Sequence, residues 1–223
     1  MDTRRVTVRL VIEPHPLLEL GAFIVRSAAP IAALATPDAI AQLAAPGAQP
    51  PVAAPDAVKT SVRDLLRHGG YKPSGRSKPA SEYLAAAFAS GGFPRINALV
   101  DACNVASLHS GLPISLVDLD RLDRSAALAV RIAATGTSYV FNPSGQTIDV
   151  GGLLCLCDAQ GPTGTPVKDA QRTKTHDATV AALAIVWGTR ALAGWTARTT
   201  QWYQQLIGEI AGAAIEPVAL TVE

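Results

Sequence analysis

Turn residues cut the second half of this chain into short apolar runs, and that pattern constrains the fold more than any other feature. Residues 128–132, 138–141 and 153–157 are brief alternating stretches, and 179–187 is a branched apolar run; Gly, Pro, Asn and Asp separate them. Such spacing predicts a sheet built of short strands. Helical signals lie on both sides of it. Residues 56–68 stop at Gly69 and Gly70, a second helix starts at Pro79, Ser81 and Glu82 and stops at Gly91 and Gly92, and a third runs over 95–110 between Pro94 and Gly111. After the strands, Trp195, Trp202, Tyr203, Leu206, Ile207 and Ile210 recur at helical spacing, which predicts an amphipathic C-terminal helix with a short strand-like tail. Helices flanking a strand-rich middle predict an α+β fold.

The N-terminal part reads as a strand carrying Val6, Val8, Leu10 and Ile12, a second strand over 21–26, and a short helix to residue 43 capped by Thr36 with Pro37 in its first position. Residues 44–55, AAPGAQPPVAAP, are predicted to form a loop.

A chain of 223 residues, 48% hydrophobic, buries a core without staples. Lys+Arg number 19 against Asp+Glu 18, which excludes a surface that is basic throughout and leaves any charged partner to a local patch. The apolar runs are broken by Arg26, Pro30 and Gly188, short of the roughly 20 residues that a membrane span needs. Arg4, Arg5 and Arg9 are followed by Glu13, Pro14, His15 and Pro16 rather than by an apolar signal core, so a cytoplasmic protein is expected. Cys103, Cys155 and Cys157 are odd in number and are read as reduced, buried thiols. None of His15, His68, His109 and His176 stands at a ligand spacing from them, so neither metal nor cofactor is predicted.

In the helix predicted over 95–110, Ile96, Leu99, Val100 and Cys103 form an apolar seam, and Asn97, Asp101 and Asn104 a polar line beside it. That line faces either ordinary solvent or a wet cleft; short amides and hydroxyls such as Asn97, Asn104 and Ser107 favour the cleft, with Ser115 at its rim. Two basic clusters stand out: Lys59, Arg63, Arg67, Lys72, Arg76 and Lys78, opposed only by Asp64, and Lys168, Arg172 and Lys174 around QRTKT. Familiar catalytic motifs are missing. GPTGT at 161–165 lacks the lysine of a phosphate loop, and Cys103 and His109 lie about 240° apart around their helix. Asp118, Asp120 and Asp123 are expected as turn and capping residues.

Three segments carry a resemblance: YKPSGRSKPASEY at 71–83, PRINALVDACNVASLHSGLPISLVDLD at 94–120, and QRTKT at 171–175. Together, over about residues 60–190, they resemble the B3/B4 domain of the phenylalanyl-tRNA synthetase beta chain, and more closely the stand-alone bacterial proteins made of that domain alone. The resemblance implies one domain over 1–223, a β-sandwich-like core of short strands flanked by helices. It also implies editing: hydrolysis of the ester that joins a mischarged amino acid to tRNA.

Site roles follow from the same resemblance. Asn104 matches the asparagine of the editing pocket, Cys103 stands where the synthetase commonly has threonine, and Ser115 where it has a histidine near the terminal adenosine. Arg172, Thr173 and Lys174 match the stand-alone pattern, whereas Gln171 replaces an acidic residue. On this reading Asn104 and Thr173 position water and Lys174 stabilises the oxyanion. Asn97, Cys103, Ser115, Gln171 and Arg172 line the substrate, and Lys72, Arg76 and Lys78 receive the tRNA. No carboxylate that orients or deprotonates water is evident. The expected partners are a mischarged aminoacyl-tRNA or its 3′ end, with a small amino acid ligand; the alternative is an inactive relative that binds without turnover.

Overall fold

Prolines mark two of the places where the chain changes sheets. Pro14 and Pro16 separate β1 (Arg9–Ile12) from β2 (Leu18–Ser27), and near the other end Pro217 closes β10 (Ala213–Pro217) before β11 (Ala219–Val222). Proline cannot donate to a ladder, so pairing ends there and the strand is freed to turn away. The computed structural model describes residues 8–223. Between these strands run α1 (Asp38–Leu43), α2 (Val58–Arg67), α3 (Ala80–Ala89), α4 (Ala98–Ser110), β3 (Ile114–Asp118), β4 (Leu128–Ile132), β5 (Ser138–Val140), β6 (Thr147–Asp149), β7 (Leu154–Asp158), β8 (Gly161–Gly164), β9 (Ala181–Thr189) and α5 (Trp195–Gly208).

Two open sheets and a hairpin result. The five-stranded sheet has the order β11-β1-β4-β7-β8, with β1 parallel to both of its neighbours; the four-stranded sheet, β10-β2-β9-β3, is antiparallel throughout, and β5 pairs with β6. One hydrophobic core draws on both sheets and on α2, α4 and α5. All nine residues of β9 are buried, which is why that segment reads as a continuous apolar run instead of an alternation. Two glycines bring α5 against the four-stranded sheet. A Cβ at Gly21 would lie 2.0 Å from Thr200 Oγ1 and one at Gly188 1.9 Å from Thr196 Oγ1, so bare backbone is needed at both positions.

The α+β expectation holds, and the segments 128–132, 153–157 and 179–187 are strands to within two residues. Val6, the first residue of the predicted N-terminal strand, lies outside the described residues. Pro37, not Thr36, is the residue before α1; the Thr36 hydroxyl instead donates to Asp101 at 3.2 Å. The third predicted helix starts late. Asn97 is extended, and its Oδ1 accepts from Val100 N at 3.1 Å, so α4 begins at Ala98. Ile96 consequently sits outside the apolar seam, 65% exposed. Among the described residues no helix is long and apolar enough to cross a membrane.

Candidate functional site

The loop from β8 to the start of β9 is short of regular structure and dense in polar side chains. Thr165 organises it. Its Oγ1 accepts from the amides of Val167 and Lys168 at 3.3 and 3.1 Å and donates to Lys168 O at 2.8 Å, closing a tight turn. The Tyr139 hydroxyl clamps that turn from β5, donating to Lys168 O. The loop then passes along β3, where Lys174 forms a backbone bridge to Val117.

This path brings Asp169 against Ser115. The Ser115 hydroxyl, fully buried, lies 2.7 Å from Asp169 Oδ1 and 3.1 Å from Thr165 O, and it accepts from the Trp187 indole N–H at 2.9 Å. A hydroxyl has one proton to give, and the indole fills an acceptor position. The shorter contact therefore directs that proton to the carboxylate. The Thr165 amide donates to the same Oδ1 at 3.1 Å. Gly164 makes the approach possible, since a Cβ there would lie 3.3 Å from Asp169 Oδ1 and 3.5 Å from the Ser115 side chain. Burial pushes the Asp169 carboxyl up to about 6, against the pull of Ser115, the Thr165 and Leu116 amides and the Lys174 ammonium. Burial likewise draws Lys174 below the usual lysine range; Asp169 opposes that shift, and Lys174 Nζ donates to Phe141 O at 2.5 Å.

The residues expected from the sequence divide into three groups. Ser115 and Lys174 converge on Asp169. Cys103 is close enough to Asp169 to feel its charge; burial first, and that carboxylate second, push its thiol up to about 12, which keeps it a neutral thiol. Asn104 is half-buried and its side chain makes no hydrogen bond among the described residues.

A second group is committed to structure. Asn97 caps α4. Asp101, 2% exposed, accepts from Ile96 N, Arg95 Nε and Thr36 Oγ1, so it staples the start of α4 and does not line a wet cleft. Arg172 forms a bidentate pair with Asp158, both contacts 2.7 Å, and also reaches Gly161 O at 3.0 Å. Burial raises Asp158, but Arg172 and two backbone amides outweigh it and hold the carboxyl below its usual range. Thr173 is fully buried, its hydroxyl turned onto Thr163 O and Ala170 O. Gln171 Oε1 is buried without a partner.

The basic cluster forms the third group, and the fold splits it. Arg76 lines a cavity of about 520 Å3 with Phe141, Gln146, Asp149 and Lys168, where Lys168 Nζ lies 4.1 Å from the centre of the Phe141 ring. Lys78 lines a different groove, between α2 and α3, and Lys72 is exposed outside both. Among the described residues no cluster of His, Cys, Asp and Glu is arranged to hold a metal. Asp118 serves as a cap, accepting from Asp120 N and Thr179 Oγ1.

Asp169 is the residue that sequence reasoning missed. It stands two positions before Gln171, the position at which the resemblance expects an acidic residue, and the turn at Thr165 brings its carboxylate against Ser115. A family model, the B3/4 domain, matches residues 73–193, more than half of the chain. The chain belongs to the B3/4 domain family. This is the domain found in the phenylalanyl-tRNA synthetase beta chain. The matched B3/4 segment runs from before α3 to just past β9 and so contains Asn104, Ser115, Asp169 and Lys174. No curated protein matches the chain.

Proposed function

We propose that this B3/4 protein is a stand-alone aminoacyl-tRNA deacylase, which hydrolyses the ester of a mischarged amino acid. The observation that carries the reading is the Asp169 carboxyl, held by Ser115 and raised to about 6 beside the Lys174 ammonium. A base with that affinity is ionised at neutral pH yet accepts a proton readily.

In the reaction, water attacks the ester carbonyl as Asp169 takes its proton. The electron pair of the carbonyl moves to oxygen, where Lys174 stabilises it. Collapse expels the ribose oxygen, which recovers the proton. Free amino acid and intact tRNA leave. Asn104, with an uncommitted amide, orients the amino acid. Arg76 and Lys168 receive phosphates of the tRNA 3′ end in the cavity beside Phe141. Thr173 and Arg172 hold the loop instead of touching substrate. No metal or cofactor enters the scheme, and a cytoplasmic site of action follows from the partner.

The test is release of amino acid from a panel of mischarged tRNAs. Wild-type protein should exceed buffer hydrolysis for at least one, and Asp169→Asn should lower that rate by about 100-fold or more. A panel that gives no release refutes the deacylase.

One observation favours a second reading, a relative that binds without turnover. Lys174 is already bonded to Phe141 O and Thr173 is turned inward, so the site holds fewer free groups than its sequence suggests. Saturable tRNA binding without hydrolysis, unchanged in Asp169→Asn, would select it.

A further inference from the structure

The groove between α2 and α3 is separate from the Asp169 site and has the make-up of a ligand pocket. It encloses about 410 Å3, within the range of small-molecule sites. Val58 and Val62 form one wall, Ala85 and Ala86 the other, and Leu108 the floor. Gly111, in the left-handed region at φ 70°, ends α4 beneath it; a Cβ there would lie 2.6 Å from Val58.

The polar lining groups are Lys59, in the first turn of α2, and Lys78, Ser81 and Glu82, around the start of α3. Pro79 precedes the helix and supplies no side-chain cap. Ser81 is 5% exposed and lines the groove, yet its hydroxyl makes no hydrogen bond among the described residues. That hydroxyl is not one of the orphaned buried atoms, so it opens on the groove and is free to bond a ligand there. Lys59 and Lys78 stand at the rim with no acidic partner among the described residues. Glu82 is the acid in the lining, and Arg63 neutralises it through two contacts of 2.7 Å. The unopposed charge of the lining is therefore positive, and the helix dipole of α3 adds to it beside Ser81.

We infer that this groove binds a small amphipathic carboxylate, its anionic head on Ser81, Lys78 and Lys59 and its apolar body along Val62, Ala85, Ala86 and Leu108. The lining offers no free acid to meet an ammonium, so a free amino acid is a poorer ligand than the corresponding acid without its amino group. This inference does not rest on the deacylase reading.

Titration calorimetry of the full chain with hydrocinnamate tests it, with phenylpropylamine and phenylalanine as the cationic and zwitterionic analogues. Hydrocinnamate should bind saturably, and both analogues at least about tenfold more weakly. Lys78→Glu and Ser81→Ala should each weaken hydrocinnamate. Ala86→Phe, at an exposed position that does not disturb the core, should abolish binding by filling the groove. Asp169→Asn should leave it unchanged, which separates this site from the proposed catalytic one. Absence of saturable binding, equal affinity for the amine, or binding that survives Ala86→Phe overturns the inference.

Discussion

β9 and the loop of residues 163–174 both lie against β3, and opposite physics holds them there. β9 pairs with β3 through a full antiparallel ladder and buries every residue it contains. The loop meets β3 through one backbone bridge and through Ser115, which contacts both Asp169 and Thr165 O, and beside a few backbone bonds it is held by hydroxyls, an ion pair and an ammonium. Apolar burial is non-directional and indifferent to pH, whereas a buried polar contact depends on which proton is where. A reactive group is best placed on the second kind of contact and steadied by the first. Trp187 joins the two, because it belongs to the β9 core and gives its indole proton to Ser115.

That double membership supplies the largest expected effect. Trp187→Ala should destabilise the protein by about 3–5 kcal/mol, read from the midpoint of denaturant unfolding. Trp187→Phe keeps most of the apolar volume and removes the donor, so it should cost clearly less while shifting the titration of Asp169. Equal losses for the two variants would mean that the indole hydrogen bond, not burial, anchors β9. Next comes the Asp158 pair in the loop. Asp158 is buried and Arg172 is one-third exposed, so Asp158→Ala strands a guanidinium and should cost about 3 kcal/mol.

Acid distinguishes the loop from the rest by sign. Burial first, then His68 and Arg190, lower His15 from 6.5 to about 4; its Nδ1 accepts from the amides of Leu17 and Leu18. The unfolded chain takes up that proton first, so His15 contributes stability that is lost as pH falls from 6.5 towards 4. Asp169 acts oppositely. Its folded carboxyl keeps a proton up to about 6 that the unfolded one releases near 3.8, so its contribution is present at low pH and lost as pH rises through that window. Thermal unfolding from pH 4 to 7 should therefore show a flatter acid limb in His15→Leu and a smaller decline towards neutrality in Asp169→Asn. A common response in both variants would remove this difference in sign.

Periodicity made the apolar half of this molecule legible. The continuous apolar run of β9 and the helical spacing of α5 follow from side chains that share one requirement, exclusion from water, whereas α4 is buried beyond its predicted seam and includes Asp101. Glycine and proline signals located most element ends. The start of α4 was misplaced because a side-chain cap at Asn97 and the Asp101 staple override the helical pattern. The site was less legible. Ser115 and Lys174 take site roles through a family resemblance, but their neighbour Asp169 does not, because the meeting of Ser115 and Asp169 depends on a turn at Thr165 and a bare Cα at Gly164, which leave no periodic trace. Arg172 and Thr173 look available in the sequence for the converse reason: their partners, Asp158, Thr163 and Ala170, come close only in the fold.

The smallest expected effect tests whether burial gives the loop contacts their weight. Arg67 and Asp64 on α2 form an ion pair at 2.9 Å, close to the 2.7 Å of Arg172 and Asp158, and both α2 side chains are more than half exposed. Water screens their attraction, and holding two long side chains in one geometry costs entropy. Asp64→Asn should therefore change stability by less than about 0.5 kcal/mol, and added salt should erase even that. The Asp158 variant should keep most of its larger effect in the same salt. If the two responded alike, distance alone would set the strength of these pairs, and the loop would hold its shape for a reason other than the removal of its charges from water.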